Sequence, residues 1–405
     1  MGLYNIPRSE EILEEAKKLK DAGKGEGISQ RKLLALKSRS FAIPIAQLYY
    51  CNGPEEYDKE GEIQNLYISL RELDCIEDGR LDKEIKLESI DKLIHIYTEV
   101  NRPDADLESL IRTDLKNLTA TILPGAVDEE EKVFMEQFGY GGAIMALREF
   151  KPIGLRSRIV NCMGNMASGM KEFLRKGKVE TMKGFEKYCY YVAESVGEAL
   201  NGIVQIKDNI RSLDYGLARD TGSFLQSTNI AKNLPEDYKE GKNRIIFIPE
   251  EFHPGITIEE LFNREDEKTK ETRKKILGAI IGYAESNFEN AVKYAIKIPE
   301  HLPGYNAFVT TSVISAKETL KVIKQSDAER VYKGDKTATK MHGETFKNIT
   351  EFTDKAVRLD NGIRIKDWQV KYSHDPCQFS FKSGEYEKWS AKYLTDEYYS
   401  INGNN

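Results

Sequence analysis

The sequence predicts an all-α fold, and three observations carry that expectation. Apolar residues recur at three- and four-residue spacing along most of the chain, the period of one helix face. Runs that alternate apolar and polar residues, the mark of a half-buried strand, are scarce. Pro103, Pro124, Pro152, Pro249, Pro254 and Pro303 fall between the periodic stretches, where helices stop.

In chain order, the clearest helical periods cover residues 66–73, 90–97, 185–204, 276–298 and 307–323. Only residues 244–248 and short pieces after Asn361 alternate enough to predict strands. Loops are expected at 51–62, 121–131 and 263–275, the last a charge run that reads as a solvated loop or helix face. With no internal repeat and no long linker before about residue 360, the expected organisation has three parts. These are a helical extension over 1–30, one all-α domain over 31–360 and an aromatic-rich appendage over 361–405. The appendage holds both tryptophans, Trp368 and Trp389. It reads as packed on the bundle, as a lid over a pocket, or as a contact with a membrane surface.

Composition narrows the function classes. At 405 residues, 40% hydrophobic and 31% charged, the chain is long enough and apolar enough for a large folded core. No stretch approaches the ~20 apolar residues that span a bilayer. The start, MGLYNIPRSEEILEEAKKLK, has neither the apolar segment of a secretory signal nor the Ser or Thr of a myristoylation site. A net charge of −6 with interspersed signs argues against nucleic acid as the main partner. Five cysteines without a CxxC pair and five histidines without HExxH argue against a disulfide framework or a zinc site. A soluble, cytoplasmic monomer is expected, with peripheral membrane contact for product release left open.

Four segments carry chemistry. In LYISLRELDCIEDGR, Asp74, Glu77 and Asp78 form D-x-x-E-D, spaced to share one helix face. Three carboxylates there repel one another unless a cation joins them. Mg²⁺ suits such a face, since it takes one or two protein carboxylates and completes its octahedron with water and phosphate. Arg71, one turn earlier, can pair with a carboxylate or a phosphate. The same pattern also describes an acidic solvated face. In GSFLQSTNIAKNLPEDYKEGKNRIIFIPEE, Gln226, Asn229, Asn233, Glu236 and Asp237 again gather oxygen donors on one face. Pro235 is expected to end or kink that helix as it presents Glu236 and Asp237. Two polar faces in an apolar bundle are costly unless they look at each other across a wet, metal-filled cavity. KYCYYVAESVGEAL carries Tyr188 together with small Ala193, Ser195 and Gly197, which permit close helix approach or leave room for a bulky apolar ligand. SRSF, Ser38, Arg39, Ser40 and Phe41, reads as an N-cap or as a phosphate-binding cluster.

The order SRSF, LRELDCIED, YCYYVAESVG, FLQSTNIAKNLPED resembles the squalene and phytoene synthase family, the head-to-head prenyl transferases. MGNMASGMKEFL (163–174) matches the stretch the family carries before its tyrosine motif, and VYKGDKTATK (331–340) is similar to the squalene synthase branch. The resemblance covers about residues 31–345.

That resemblance implies one isoprenoid synthase bundle around a deep apolar cavity. It implies Mg²⁺, or Mn²⁺ in its place, held by Asp74, Glu77 and Asp78 from one face and Asn233, Glu236 and Asp237 from the other. Ser38, Arg39, Ser40, Phe41, Tyr67, Arg71, Gln226 and Asn229 would contact the prenyl diphosphates. Arg39, Arg71, Asn229, Lys336 and Lys340 would help bind NADPH, and Val192, Ala193, Gly197 and residues 307–314 would line the pocket. Tyr188 occupies the position of the family tyrosine that serves proton transfer in the first half-reaction, with Arg71, Asp74 and Asp78 completing the catalytic set. The implied reaction condenses two farnesyl diphosphates through presqualene diphosphate to squalene. Three positions depart from the family pattern: Asn233 stands for the first Asp of the second motif, Lys232 for an arginine, and Thr337 and Thr339 for the basic pair of the NADPH stretch. Lys336 and Lys340 either substitute for that pair or mark a shifted register. The alternatives are a phytoene or dehydrosqualene type, an enzyme that stops before reduction, and an inactive lipid-binding or assembly protein. A C-terminal anchor of the eukaryotic squalene synthase type is not expected.

Overall fold

The structure, a computed structural model, describes residues 8–21, 28–37, 44–45, 48, 61–210, 213–240, 245–299, 301–341, 345–346, 349–350 and 353. Ser38, Arg39, Ser40, Phe41 and the aromatic appendage lie outside the described residues. The described chain is helical. Its long elements are α1 (Ser9–Asp21), α2 (Gln30–Lys37), α3 (Glu62–Asp78), α4 (Lys83–Val100), α5 (Ile153–Lys176), α6 (Ser195–Lys207), α7 (Tyr215–Glu240), α8 (Glu267–Lys297) and α9 (Pro303–Gln325). Shorter helices join them, and a π-helical turn, Tyr190–Glu194, leads into α6. All five helical periods read from the sequence fall in helices. The 185–204 period is divided among Met182–Cys189, the π turn and α6.

One continuous apolar core unites these helices, and Ile12 and Ala16 of α1 belong to it. Helix α7 runs through the middle, packed against α6, the π turn, α8 and α9, while α3 lies against α2, α4 and α5. Two glycines set how closely the central helices approach. A Cβ on Gly197 would sit 2.3 Å from the Ala218 carbonyl oxygen, and one on Gly222 would sit 2.3 Å from that of Ala193. Each helix therefore presses its own backbone into the gap the other's glycine leaves. Small residues in the third motif serve close approach there.

Three expectations are corrected. The described part of 244–248 forms no strand, the Ile248 N–H turning back to the Ile246 carbonyl at 2.8 Å, and its neighbour Pro249 forms an isolated bridge with Val179. Alternation there buries Ile245, Phe247 and Ile248 against helices instead of pairing a ladder. Of the end or kink expected at Pro235, the end is overturned, since α7 continues to Glu240. Packing on both flanks outweighs the lost backbone hydrogen bond. The 263–275 run is for the most part the helix face and not the loop among its two readings, forming the first turns of α8, capped where the Asp266 side chain accepts from the Thr269 N–H. Within that run Arg273 is buried rather than solvated.

Candidate active site

A cavity of about 550 Å³ opens between α3, the π turn with α6, α7 and α9, a size that suits a small-molecule site. On α3 the half-buried residues Tyr67, Arg71, Asp74 and Asp78 stand among buried neighbours at four- and three-residue spacing, forming one stripe along the cavity. Glu77 joins that wall. From α7, Gln226, Asn229, Asn233 and Asp237 line the same cavity, accompanied by Lys232. The two polar faces legible in the sequence thus share one cavity. Apolar side chains share the lining, with Val192, Ala193, Val196, Leu225, Phe308 and Val309 among them.

Charges on the α3 wall are tied together. An Arg71 Nη1–H donates to Asp74 Oδ2 at 2.8 Å. Burial pulls the Arg71 guanidinium down, but Asp74, Cys75 and Asp78 more than offset it, so the cation is held more firmly than usual. Buried Lys86 on α4 donates its Nζ–H to the Glu77 carbonyl oxygen at 2.6 Å. A cation at the C-terminal end of α3 also suits the helix dipole and fixes the turn that presents Glu77 and Asp78.

Tyr188 is buried against two rings, stacked on Phe247 at 3.7 Å and edge-on to Phe173 at 5.2 Å. Its hydroxyl donates to Glu77 Oε2 over a long 3.5 Å. Burial first, and then the charges of Glu77, Asp78 and Asp74, push the phenol well above its ordinary value, so it keeps its proton. On the facing wall, burial and then the charge of Lys340 pull Lys232 down, against the opposing pull of Glu236 and Asp237. An arriving anion would favour the ammonium form of Lys232 that burial disfavours.

Not every expected site residue reaches the cavity. Glu236 is held by Lys340 Nζ at 2.9 Å and is absent from the lining, whereas Lys340 itself lines the cavity. Lys336 is exposed and away from it. Thr337 is occupied in the turn, its hydroxyl donating to Asp335 and accepting from Arg330. Sequence reasoning missed Phe247, which it assigned to a strand, and the continuation of the 307–314 lining beyond Ser312 to the hydroxyls of Ser315 and Thr319 on α9. Three- and four-residue spacing of those hydroxyls was the available signal.

Among the described residues, no three His, Cys, Asp or Glu side chains converge closely enough to hold a metal by themselves. The donor set consists of hard oxygens, carboxylates on α3 and a carboxylate with carboxamides on α7. That chemistry fits Mg²⁺, which binds through one or two carboxylates plus substrate phosphate rather than in an all-protein cage.

The profile of the family described as "Squalene/phytoene synthase" matches residues 56–342, well over half of the chain. The chain belongs to the squalene/phytoene synthase family. Its fold is the all-α isoprenoid synthase bundle of that family. Among curated relatives, "Squalene synthase LSS" of Botryococcus braunii is 26% identical over 84% of this chain and 66% of its own length. "Inactive squalene synthase 2" of Arabidopsis thaliana is 29% identical over 63% of this chain and 55% of its own length. The chain thus spans about two thirds or less of the length of these relatives. A solved structure, "The complex structure of TcSQS with ligand, BPH1237", superposes with a TM-score of 0.64. It is 21% identical and covers 93% of this chain and 98% of that one, a likeness of fold. Family members are prenyl transferases acting on prenyl diphosphates.

Proposed function

We propose that the protein joins two farnesyl diphosphates head to head, through presqualene diphosphate, and reduces the product to squalene. The observation that carries this reading is the pairing of the Asp74–Glu77–Asp78 wall with the Asn233–Asp237 wall over one cavity that also carries a large apolar lining. Mg²⁺ held by those residues would neutralise the leaving diphosphate, and NADPH would supply the hydride. Arg71 and Lys232, one on each wall, bind and orient the diphosphate oxygens. Tyr188 holds its proton at the phenol oxygen beside the acidic wall, poised to donate a hydrogen bond, and through it a proton, to an oxyanion. Val192, Val196, Leu225 and Phe308 exclude water, so that an allylic cation survives until the second chain's double bond attacks it.

A second reading, an enzyme that stops before reduction, draws on a specific observation. Of the two lysines flanking the absent basic pair, Lys336 stands off the cavity and Lys340 is engaged by Glu236. Incubating the protein with farnesyl diphosphate and Mg²⁺, with and without NADPH, and identifying products by mass separates the two. Squalene formed only with NADPH supports the full reaction. Presqualene diphosphate or an unreduced hydrocarbon in both samples assigns the first half alone. No product with farnesyl or geranylgeranyl diphosphate overturns both readings and leaves the inactive binding protein.

A further inference from the structure

Away from the acidic walls, the cavity ends in a set of hydroxyl-bearing rings. Its lining on α7 runs from Asp237 back to Ala218, about 28 Å of helix at 1.5 Å per residue. At the Ala218 end the α6 backbone crosses closely at Gly197, and one turn further along α6 come Leu200, which lines the cavity, and buried Asn201. Tyr294 of α8 and Tyr305 of α9 line the cavity with only 2% and 5% of their surface exposed. Their hydroxyls are 2.8 Å apart. Tyr294 donates its one proton to Asn201 Oδ1 at 3.1 Å, so the Tyr305 hydroxyl donates to the Tyr294 oxygen. Asn201 is anchored in turn, its Nδ2–H donating to the Leu213 carbonyl at 3.3 Å. The Tyr305 ring lies over that of Phe308 at 6.0 Å, and Phe308 meets Tyr67 edge-on at 6.2 Å.

This relay runs from main chain to Asn201 to Tyr294 to Tyr305, and both tyrosine hydroxyl protons in it are used. It therefore offers a ligand no hydroxyl donor. What it does is fix two aromatic rings where an apolar chain would otherwise extend. Swinging Tyr305 aside breaks a buried hydrogen bond and leaves a polar group unsatisfied there, which opposes the movement. We infer that Tyr305, locked by Tyr294 and Asn201, sets the upper limit on the prenyl chain the cavity accepts. The inference rests on the prenyl-transfer reading above and specifies the substrate of that same site.

Binding of non-reacting thiolodiphosphate analogues tests it without requiring turnover. Farnesyl and geranylgeranyl thiolodiphosphate are titrated by calorimetry, with Mg²⁺, into the intact protein and two variants. The wild type is expected to prefer the fifteen-carbon analogue. Tyr305→Ala should raise the C20-to-C15 affinity ratio about tenfold or more, the scale on which apolar pockets discriminate length. Tyr305→Phe keeps the ring and loses the bond, so it should fold and raise the ratio by a smaller factor. A ratio unchanged in Tyr305→Ala, with the farnesyl analogue still bound, overturns the inference while leaving the proposed reaction standing. An unchanged ratio in Tyr305→Phe overturns the hydroxyl lock. A wild type that binds neither analogue removes the prenyl-transfer reading and this inference with it.

Discussion

Arg71 and Asp74 hold each other at 2.8 Å on the cavity wall, so each substitution there has two consequences. Asp74→Ala removes an oxygen donor proposed for Mg²⁺ and also leaves the Arg71 cation without its nearest counter-charge. Turnover should fall by about 10²-fold or more, the scale of one lost electrostatic stabiliser, with helicity by circular dichroism unchanged. Retained turnover would sink the metal assignment. Tyr188→Phe is a cleaner change, because the ring keeps its stack on Phe247 and loses only the hydroxyl. If that hydroxyl serves the first half-reaction, both squalene and the cyclopropyl diphosphate should disappear. Accumulation of the cyclopropyl diphosphate in the variant would assign Tyr188 to the second half instead. The motif residues on α3 were readable in advance because a helix fixes which positions share a face. Commitments such as Glu236 to Lys340, 104 positions apart, were not, because they depend on how distant segments meet.

Helix pairing around the site depends on features that a single sequence states ambiguously. The small residues near Gly197 allowed either close approach or ligand space. With backbone 2.3 Å from a would-be Cβ, the structure uses Gly197 for approach, and Gly197 and neighbouring Ala193 both contribute to the cavity lining as well. Gly197→Ala forces α6 away from α7 and should cost about 1–3 kcal/mol, read as a lowered urea midpoint; an unchanged midpoint would mean the helices can part freely. The α3–α4 contact has its own pH signature. Glu72, 3% exposed, accepts from the Tyr97 hydroxyl at 2.6 Å. Burial pushes its carboxyl up to about 8, with the Tyr97 bond opposing, from an ordinary 4.5. Since the folded value lies above the unfolded one, this contribution to stability is complete below about pH 4.5 and is lost as pH rises through about 8. Glu72→Gln, which mimics the protonated carboxyl, should flatten that part of the stability–pH curve. A variant whose curve overlays the wild type's would refute the assignment.

Cohesion of the whole bundle returns to a residue the sequence filed under solvated charge. The run 263–275 offered no local hint that Arg273 is unlike its neighbours, because its partners come from two stretches of chain, 261–264 and 329–332, that only the fold brings around it. With 1% of its surface exposed, it donates from Nε to the Leu261 carbonyl at 2.6 Å and from Nη2 to the Arg264 carbonyl at 2.7 Å. Nη1 meets Glu329 Oε2 at 2.5 Å, and the guanidinium lies 5.7 Å from the Tyr332 ring centre. A single side chain on α8 therefore holds the helix Ile258–Asn263 on one side and Ala328–Tyr332 on the other. The second of these turns at Gly334, φ 74°, into the segment that carries Lys340 to the cavity. Arg273→Met abandons the Glu329 carboxylate and both carbonyls, and should cost about 3–5 kcal/mol by urea unfolding. Arg273→Lys keeps the charge but cannot serve three acceptors at once, so it should recover only part of that loss. If Lys matches the wild type, charge alone is what matters at this junction; if Met does, the bundle does not depend on it.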